Sequence, residues 1–356
     1  MESMAINNFD SFYNGRRVLV TGHTGFKGSW LSLWLQKMGA AVSGYALPPN
    51  TDPSLYQLLN LGIPETLADI NDEPALAKHF KDYAPEVVFH LAAQPLVRES
   101  YSDPIGTWQT NIASLWNLLK IIKNLPSVKV VVIITTDKCY QNLETGKPFV
   151  ETDALGGHDP YSASKACVEI LCASWRASFF QPAHGPFLST VRAGNVIGGG
   201  DWAADRLIPD CIKSFIAGQA VELRNPNALR PWQHVLEPLA GYLTVAEKLY
   251  NHGDQYAEAW NFGPGVGGDA TVGDVATVAA EIWGDGRVIK SAPTDNLHEA
   301  NLLRLDIAKS VGRLGWVPRW DVKQAIFETV DWYKAWHDGK NMLEFSLRQI
   351  EKYKNS

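Results

Sequence analysis

Cysteine is scarce: Cys139, Cys167, Cys172 and Cys211 are the four in a chain of 356 residues. Their spacing holds neither a CxxC pair nor a zinc-ligand pattern. This argues against a disulfide framework or a metal centre and leaves reduced thiols in a cytoplasm as the expectation. No apolar run approaches the ~20 residues of a membrane-spanning helix. The opening MESMAINNFD also lacks the basic-then-apolar layout of a signal peptide, so no membrane association is expected. Runs of Lys and Arg are missing too. With 32 basic and 38 acidic side chains, the net charge is -6. A nucleic-acid partner needs clustered cations and is therefore excluded, whereas a small phosphorylated ligand can be held by a few placed arginines. Internal repeats and low-complexity segments are absent.

What is present is an alternation. Hydrophobic residues make up 46% of the chain. RRVLVTG, AVSGYAL, TLADI, EVVFHLAA, VKVVVIITT and FLSTVRAGN read as strands, apolar throughout rather than at every second residue. Helices are predicted between them, from Phe26, near Glu73–Lys81, across Pro104–Lys123 and from Tyr161. Strands of this kind alternating with helices predict a parallel sheet covered on both faces. After Gly194 the rhythm loosens into Gly-, Asp- and Pro-rich loops, as a smaller lobe would. RPWQHVLEPLAGYLTVAEKLY and AWNFGP look regular enough to return to the large sheet. DVKQAIFETVDWYKAWHDG reads as an amphipathic helix.

Gly22, Gly25 and Gly28 in TGHTGFKG stand between the first strand and the first helix. A tight turn and close approach of phosphate to backbone both favour residues without Cβ, and the helix start offers free N–H groups to a pyrophosphate. A glycine-rich turn without a ligand is the plain alternative. With strand before and helix after, the dinucleotide reading is preferred. The expected fold is therefore α/β: a Rossmann-type doubly wound parallel sheet with a smaller mixed α/β substrate-binding lobe. Residues 1–192 and a returning segment at about 231–262 are assigned to the first, and 193–230 and 263–356 to the second. The acid that should end the second strand to hold an adenine ribose is missing from YALPPN, and no Arg stands there for a 2′-phosphate either; NAD is still the expected cofactor.

YSASK places Tyr161 and Lys165 on one helix face, a turn apart. A phenol ionises at about 10, but a neighbouring ammonium together with a positive nicotinamide ring favours its phenolate and fits it to take a proton from a sugar hydroxyl. An exposed Tyr–Lys pair is the bland reading of that motif alone. A buried strand also ends in TTDKCYQN, delivering Thr136, Asp137 and Lys138 to one place. Surplus charge at a sheet edge is costly unless used. A solvated lysine at a strand end is the bland reading of Lys138.

The GxxGxxG spacing and the set Thr136, Tyr161 and Lys165 resemble the short-chain dehydrogenases/reductases. GHTGFKGSWL, TTDKCY and RLDIAKSVGRLGWVPRW resemble, over nearly the whole chain, the nucleotide-sugar 4,6-dehydratases of the extended group, and within them the CDP-glucose branch. That resemblance implies cofactor contacts from the turn residues Gly22, His23, Gly25, Phe26, Lys27 and Gly28. It adds Asp69, Ile70, Leu91, Ala92, Ala93 and Gln94, together with Tyr161 and Lys165. It implies that Tyr161 takes the 4-hydroxyl proton, that Thr136 bonds the same hydroxyl, and that Asp137 protonates the departing 6-hydroxyl. Lys138 is either the base at the 5-position or an electrostatic support. Asn111 matches a helix Asn of the superfamily, with an interior polar role as the alternative. Asn195, Arg206, Leu207, Arg230, Trp232, His298 and Glu299 match substrate contacts, a surface salt bridge being the alternative for each arginine. A homodimer or tetramer and a supply line to bacterial surface polysaccharide are likewise implied. Two other readings stay open. A 4-epimerase shares the turn and the Tyr–Lys pair but lacks the Asp-plus-Lys. A dinucleotide-sensing regulator would have a damaged triad.

Overall fold

The computed structural model describes residues 10–180, 185–265, 268–290 and 302–356. The strands β1 (Arg17–Thr21), β2 (Ala41–Ala46), β3 (Glu65–Leu67), β4 (Val87–His90), β5 (Val130–Ile134) and β6 (Phe187–Ala193) form one sheet with a seventh strand, Ala259–Phe262. Their spatial order is β3-β2-β1-β4-β5-β6 and then the seventh strand, every pairing parallel. Helices cover both faces, which is why β4 and β5 are buried at every residue. The order reverses between β1 and β4. At such a switch point the loops after neighbouring strands diverge and leave a crevice at their carboxyl ends.

The helix Phe26–Lys37 follows β1 and is buried at every position from Gly28 to Leu35. The carboxyl-terminal helix Met342–Lys354 folds back over it, and the helix Val322–His337 packs in turn on Met342–Lys354. The Tyr353 ring meets Trp34 edge-on at 5.8 Å, and Trp332 fills the space beside Gly199, where a Cβ would lie 2.0 Å from the indole. One hydrophobic cluster joins Trp30 and Trp34 to Ile208, Phe215 and Val221 of the outer segments and to Trp332 and Ile350.

Three expectations are refined. TLADI is strand only through Leu67, with the Ala68 amide still bonded to the Ala46 carbonyl; Asp69 and Ile70 then run along the crevice. The helix across Pro104–Lys123 carries a wide turn at Gln109–Ala113. RPWQHV forms two short strands, Leu229–Pro231 and Gln233–His234, before the helix Leu236–His252 packs against β5 and β6. The smaller elements include Ala220–Leu223 paired parallel with Arg287–Lys290, and Leu229–Pro231 paired antiparallel with Asp269–Thr271.

Candidate active site

A cleft of about 1330 Å³ opens at the carboxyl ends of the strands. Gly22, Gly25, Phe26, Lys27 and Gly28 line it on one side, and Asp69, Ile70 and Leu91–Gln94 continue that wall. Thr136, Lys138, Tyr161 and Lys165 form its middle. Asn195, Arg206, Leu207, Arg230 and Trp232 close the far side. His298 and Glu299 lie outside the described residues.

The glycine turn divides its labour. Gly22 has φ +76°, and a Cβ there would lie 2.7 Å from the Ala92 nitrogen. At Gly28 a Cβ would fall 2.0 Å from the Gly22 carbonyl oxygen, so helix and turn could not approach. Gly25 is different. Its φ is -79°, and the nearest atom to an added Cβ is an ordinary 3.4 Å away. Neither backbone nor packing demands glycine at this exposed helix start, whereas a pyrophosphate lying on the N–H groups would. The cradle therefore fits a dinucleotide. Around the end of β2 the cleft is lined by Ala46, Leu47, Pro48, Pro49, Asn50 and Thr51, without an acid or an arginine.

His23 is the member of the turn that the fold turns away. Its ring lies over Gly44 and meets the Glu65 carboxylate at 2.5 Å, outside the cleft lining. Only its backbone belongs to the turn. Its imidazole fills the hollow that Gly44 leaves over β2.

Asp159 caps the helix Pro160–Ser178, accepting from the Ser162 amide at 2.9 Å and its hydroxyl at 2.6 Å, with Pro160 at the first position. This start aims Tyr161 and Lys165 at the cleft. The expected lowering of the phenol is absent from the chain alone. Burial pushes Tyr161 up to about 12, against the smaller downward pull of Thr136. The Lys165 ammonium instead donates to the Ile134 carbonyl at 3.2 Å, and burial brings it down to about 8, opposed by Glu169. Burial also brings Lys27 down to about 7, helped by Arg206 and opposed by Asp137.

Thr136 caps the short turn Asp137–Cys139 and donates to Asp137 Oδ1 at 3.0 Å. Asp137 is buried just behind the cleft wall, with its Oδ2 free of any hydrogen-bond partner among the described residues. Lys138 Nζ stands 3.7 Å from Asp137 Oδ1. On the far side, Asn195 Oδ1 and Arg206 Nε are buried without partners among the described residues, and Arg206 Nη1 lies 3.7 Å from Asp201. Unmet polar atoms of this kind are costly unless a ligand satisfies them. Arg230 is buried and donates to the Leu229 carbonyl at 3.0 Å, so it is no surface salt bridge.

Asn111 has a bridging place. It accepts from the Gln94 amide at 2.9 Å and donates to Ser164 Oγ at 2.8 Å, tying the wall at Leu91–Gln94 to the Tyr161 helix. The wide helical turn that presents it is of a kind common at functional sites. Sequence reasoning passed over Glu169, although its spacing four residues beyond Lys165 carried a signal, and over Arg192, whose place inside an apolar strand was the clue. The two form a buried ion pair at 2.9 Å below this cluster.

Residues 18–263 match the NAD dependent epimerase/dehydratase family. The CDP-glucose 4,6-dehydratase of Salmonella typhimurium strain LT2 is 48% identical over 349 residues, covering 96% of this chain and 97% of that protein. The dTDP-glucose 4,6-dehydratase 1 of Escherichia coli K12 is 27% identical, covering 89% of this chain and 92% of that protein. Among solved structures, the UDP-glucose 4-epimerase of Thermotoga maritima with UDP-glucose superposes with a TM-score of 0.79 at 24% identity, over 90% of this chain and 99% of that one. That level of identity carries the fold and no more. With the parallel seven-stranded sheet and the glycine cradle, these likenesses establish that the chain belongs to the NAD dependent epimerase/dehydratase family.

Proposed function

We propose that this protein is an NAD-dependent nucleotide-sugar 4,6-dehydratase acting on CDP-glucose. The observation that carries the reading is that Lys138 lines one cleft with Thr136, Tyr161 and Lys165, with Asp137 directly behind them, in a chain 48% identical to a CDP-glucose 4,6-dehydratase. The two charged residues are superfluous to an epimerase.

Gly22, Gly25 and Gly28, with Asp69, Ile70 and Leu91–Gln94, would hold the cofactor. NAD, when bound, accepts hydride from the sugar C4 and gives it back at C6. Tyr161 takes the proton of the 4-hydroxyl while Thr136 hydrogen-bonds the same oxygen. The resulting ketone acidifies the C5 hydrogen. Lys138 removes that proton, and Asp137 gives its own to the 6-hydroxyl, which departs as water. Lys138 then returns the proton to C5. The proton gained by Tyr161 equals the one lost by Asp137, so exchange with solvent restores both.

The Asp137–Lys138 pair is suited to this because its acid and base forms share a proton count. Moving one proton from ammonium to carboxylate across the 3.7 Å gap yields an amine and a carboxylic acid. The unmet Asn195 Oδ1 and Arg206 Nε, with Arg230, supply the nucleotide side, where arginine suits bidentate binding of phosphate.

Two helices carry exposed apolar side chains, among them Ile105, Trp116 and Ile170, and this supports a homodimer, or a dimer of dimers, formed through them. Among the described residues no helix is long and apolar enough to cross a membrane, and the four cysteines are free, in keeping with work in a reducing cytoplasm. A 4-keto-6-deoxy sugar nucleotide made there would feed bacterial O-antigen and lipopolysaccharide synthesis.

The test is incubation with CDP-, dTDP-, GDP- and UDP-glucose plus NAD, followed by mass analysis. Loss of water from CDP-glucose is expected. A product of unchanged mass that keeps its 6-hydroxyl would make the protein an epimerase.

A further inference from the structure

The Glu169–Arg192 pair lies outside the cleft lining, and none of the proposed proton transfers uses it. Both side chains are almost completely enclosed, at 1% and 3% exposure. The Glu169 carboxylate is saturated. Its Oε1 accepts from Thr135 Oγ1 at 2.5 Å and from Arg192 Nε at 2.9 Å. Its Oε2 accepts from Thr190 Oγ1 at 2.6 Å and from Arg192 Nη2 at 2.9 Å. Arg192 Nη1 continues to the Tyr140 hydroxyl at 2.7 Å and the Glu151 carbonyl at 3.1 Å. Tyr140 donates onward to Asn261 Oδ1 at 2.7 Å, while its ring stacks on Phe149.

An enclosed ion pair contributes little net stability over apolar residues of the same volume, because both charges lose their water. Its use here is geometric. Thr135 immediately precedes Thr136, and Tyr140 comes two residues after Lys138. The pair thus grips both ends of the stretch that carries Thr136, Asp137 and Lys138. Glu169 also rides on the helix of Tyr161 and Lys165, with the same four-residue spacing. Between the two grips Asp137 is weakly held, with one bond from Thr136 and a bare Oδ2. Its position is therefore set by the frame and not by its own partners.

We infer that Glu169 and Arg192, acting through Thr135 and Tyr140, are positioning residues for the elimination half of the reaction, fixing Asp137 and Lys138 relative to Tyr161. The inference rests on the dehydratase reading. Oxidation at C4 uses Tyr161, Lys165 and Thr136, whereas water loss also needs Asp137 and Lys138. Loosening the grip at Tyr140 should therefore separate the two halves.

Tyr140→Phe removes the hydroxyl held by Arg192 and Asn261 and keeps the ring on Phe149. The NAD-loaded variant is mixed with CDP-glucose in a rapid-quench experiment. Mass analysis then counts the 4-keto hexose that retains its 6-hydroxyl and the 4-keto-6-deoxy product. Water loss is expected to slow by about tenfold or more, as for a catalytic group displaced by a fraction of an ångström. Oxidation should stay within about twofold, so the intact ketone accumulates. Thr135→Val loosens the opposite grip and carries the same expected imbalance, which keeps the inference testable if Tyr140→Phe does not fold. Equal slowing of both halves, or no change in either variant, overturns the positioning role while wild-type dehydration continues. Failure of the wild-type protein to dehydrate any sugar nucleotide overturns the function itself.

Discussion

Asp137 keeps one carboxylate oxygen bonded to Thr136 and the other bare, behind a wall that its neighbours Thr136 and Lys138 line. An acid in that position is equipped to deliver a proton once a hydroxyl arrives. Asp137→Asn preserves shape but has no proton to give. It should still oxidise the sugar, while product formation falls by about 10²–10⁴-fold, the usual weight of a general acid; rapid-quench product analysis measures both. Lys27 offers a second residue-scale test. Free of ligand, it titrates at about 7, chiefly through burial. At pH 8 it is mostly neutral, and a diphosphate placed beside it favours the charged form, so binding takes up a proton. Affinity should accordingly weaken as pH rises above 7. Calorimetric titration with NAD and then CDP, in buffers of different ionisation enthalpy, should show net proton uptake at pH 8 that Lys27→Met diminishes. An uptake of zero in the wild type would exclude this role.

At the scale of elements, the fold depends on how the carboxyl-terminal segment is fastened to the helix Leu236–His252. Glu237, at the start of the helix Leu236–His252, accepts from the amides of Arg319 at 3.0 Å and Trp320 at 2.7 Å and from the Tyr353 hydroxyl at 2.7 Å. Burial pushes its carboxyl up to about 7 despite those donors. An unfolded glutamate ionises at about 4.3. Between those values the unfolded chain has released a proton that the folded chain retains, so stability declines as pH rises towards 7 and then levels off. Glutamine keeps the acceptor for both amides and removes the ionisation. Glu237→Gln should match the wild type at pH 5 and exceed it at pH 8 by on the order of 1–3 kcal/mol in denaturant unfolding. A variant weaker at both values would show that the carboxylate, not its neutral form, holds the helices. The glycine turn belongs to this scale as well. It was readable beforehand because strand, turn and helix are contiguous in the chain, whereas the fold-back of Tyr353 onto Trp34 of the helix Phe26–Lys37 joins segments some hundreds of residues apart in sequence.

For the whole molecule, a group of exposed apolar residues lies on the two helices that also carry Asn111 and Tyr161. Ile105 is 70% exposed, Ile170 57% and Trp116 55%. Large apolar side chains grouped in water in this way suit the subunit interface proposed above. A charge placed among them must be desolvated for subunits to meet, so Trp116→Glu should shift the sedimenting species from dimer to monomer. An unchanged dimer would move the interface elsewhere. Joining these helices across a two-fold axis would also couple the two active sites mechanically, since each helix pair holds Asn111 against Ser164.

Much of this protein was determined by local sequence: the alternation of apolar strands and helices, the glycine turn, the Tyr–Lys spacing and the hydroxyl, acid and amine at the end of β5. Each is a pattern within a few consecutive turns, where backbone geometry alone brings the groups together. Tertiary structure decided the rest. It turned the His23 side chain onto Glu65, set Asp137 behind the wall, gave the Lys165 ammonium to a carbonyl and raised the Tyr161 phenol that its neighbour was expected to lower. It also joined Glu169 to Arg192 beneath the reacting segment. Burial and pairing across distant segments depend on what packs above and behind each group, and no spacing along a single chain encodes that.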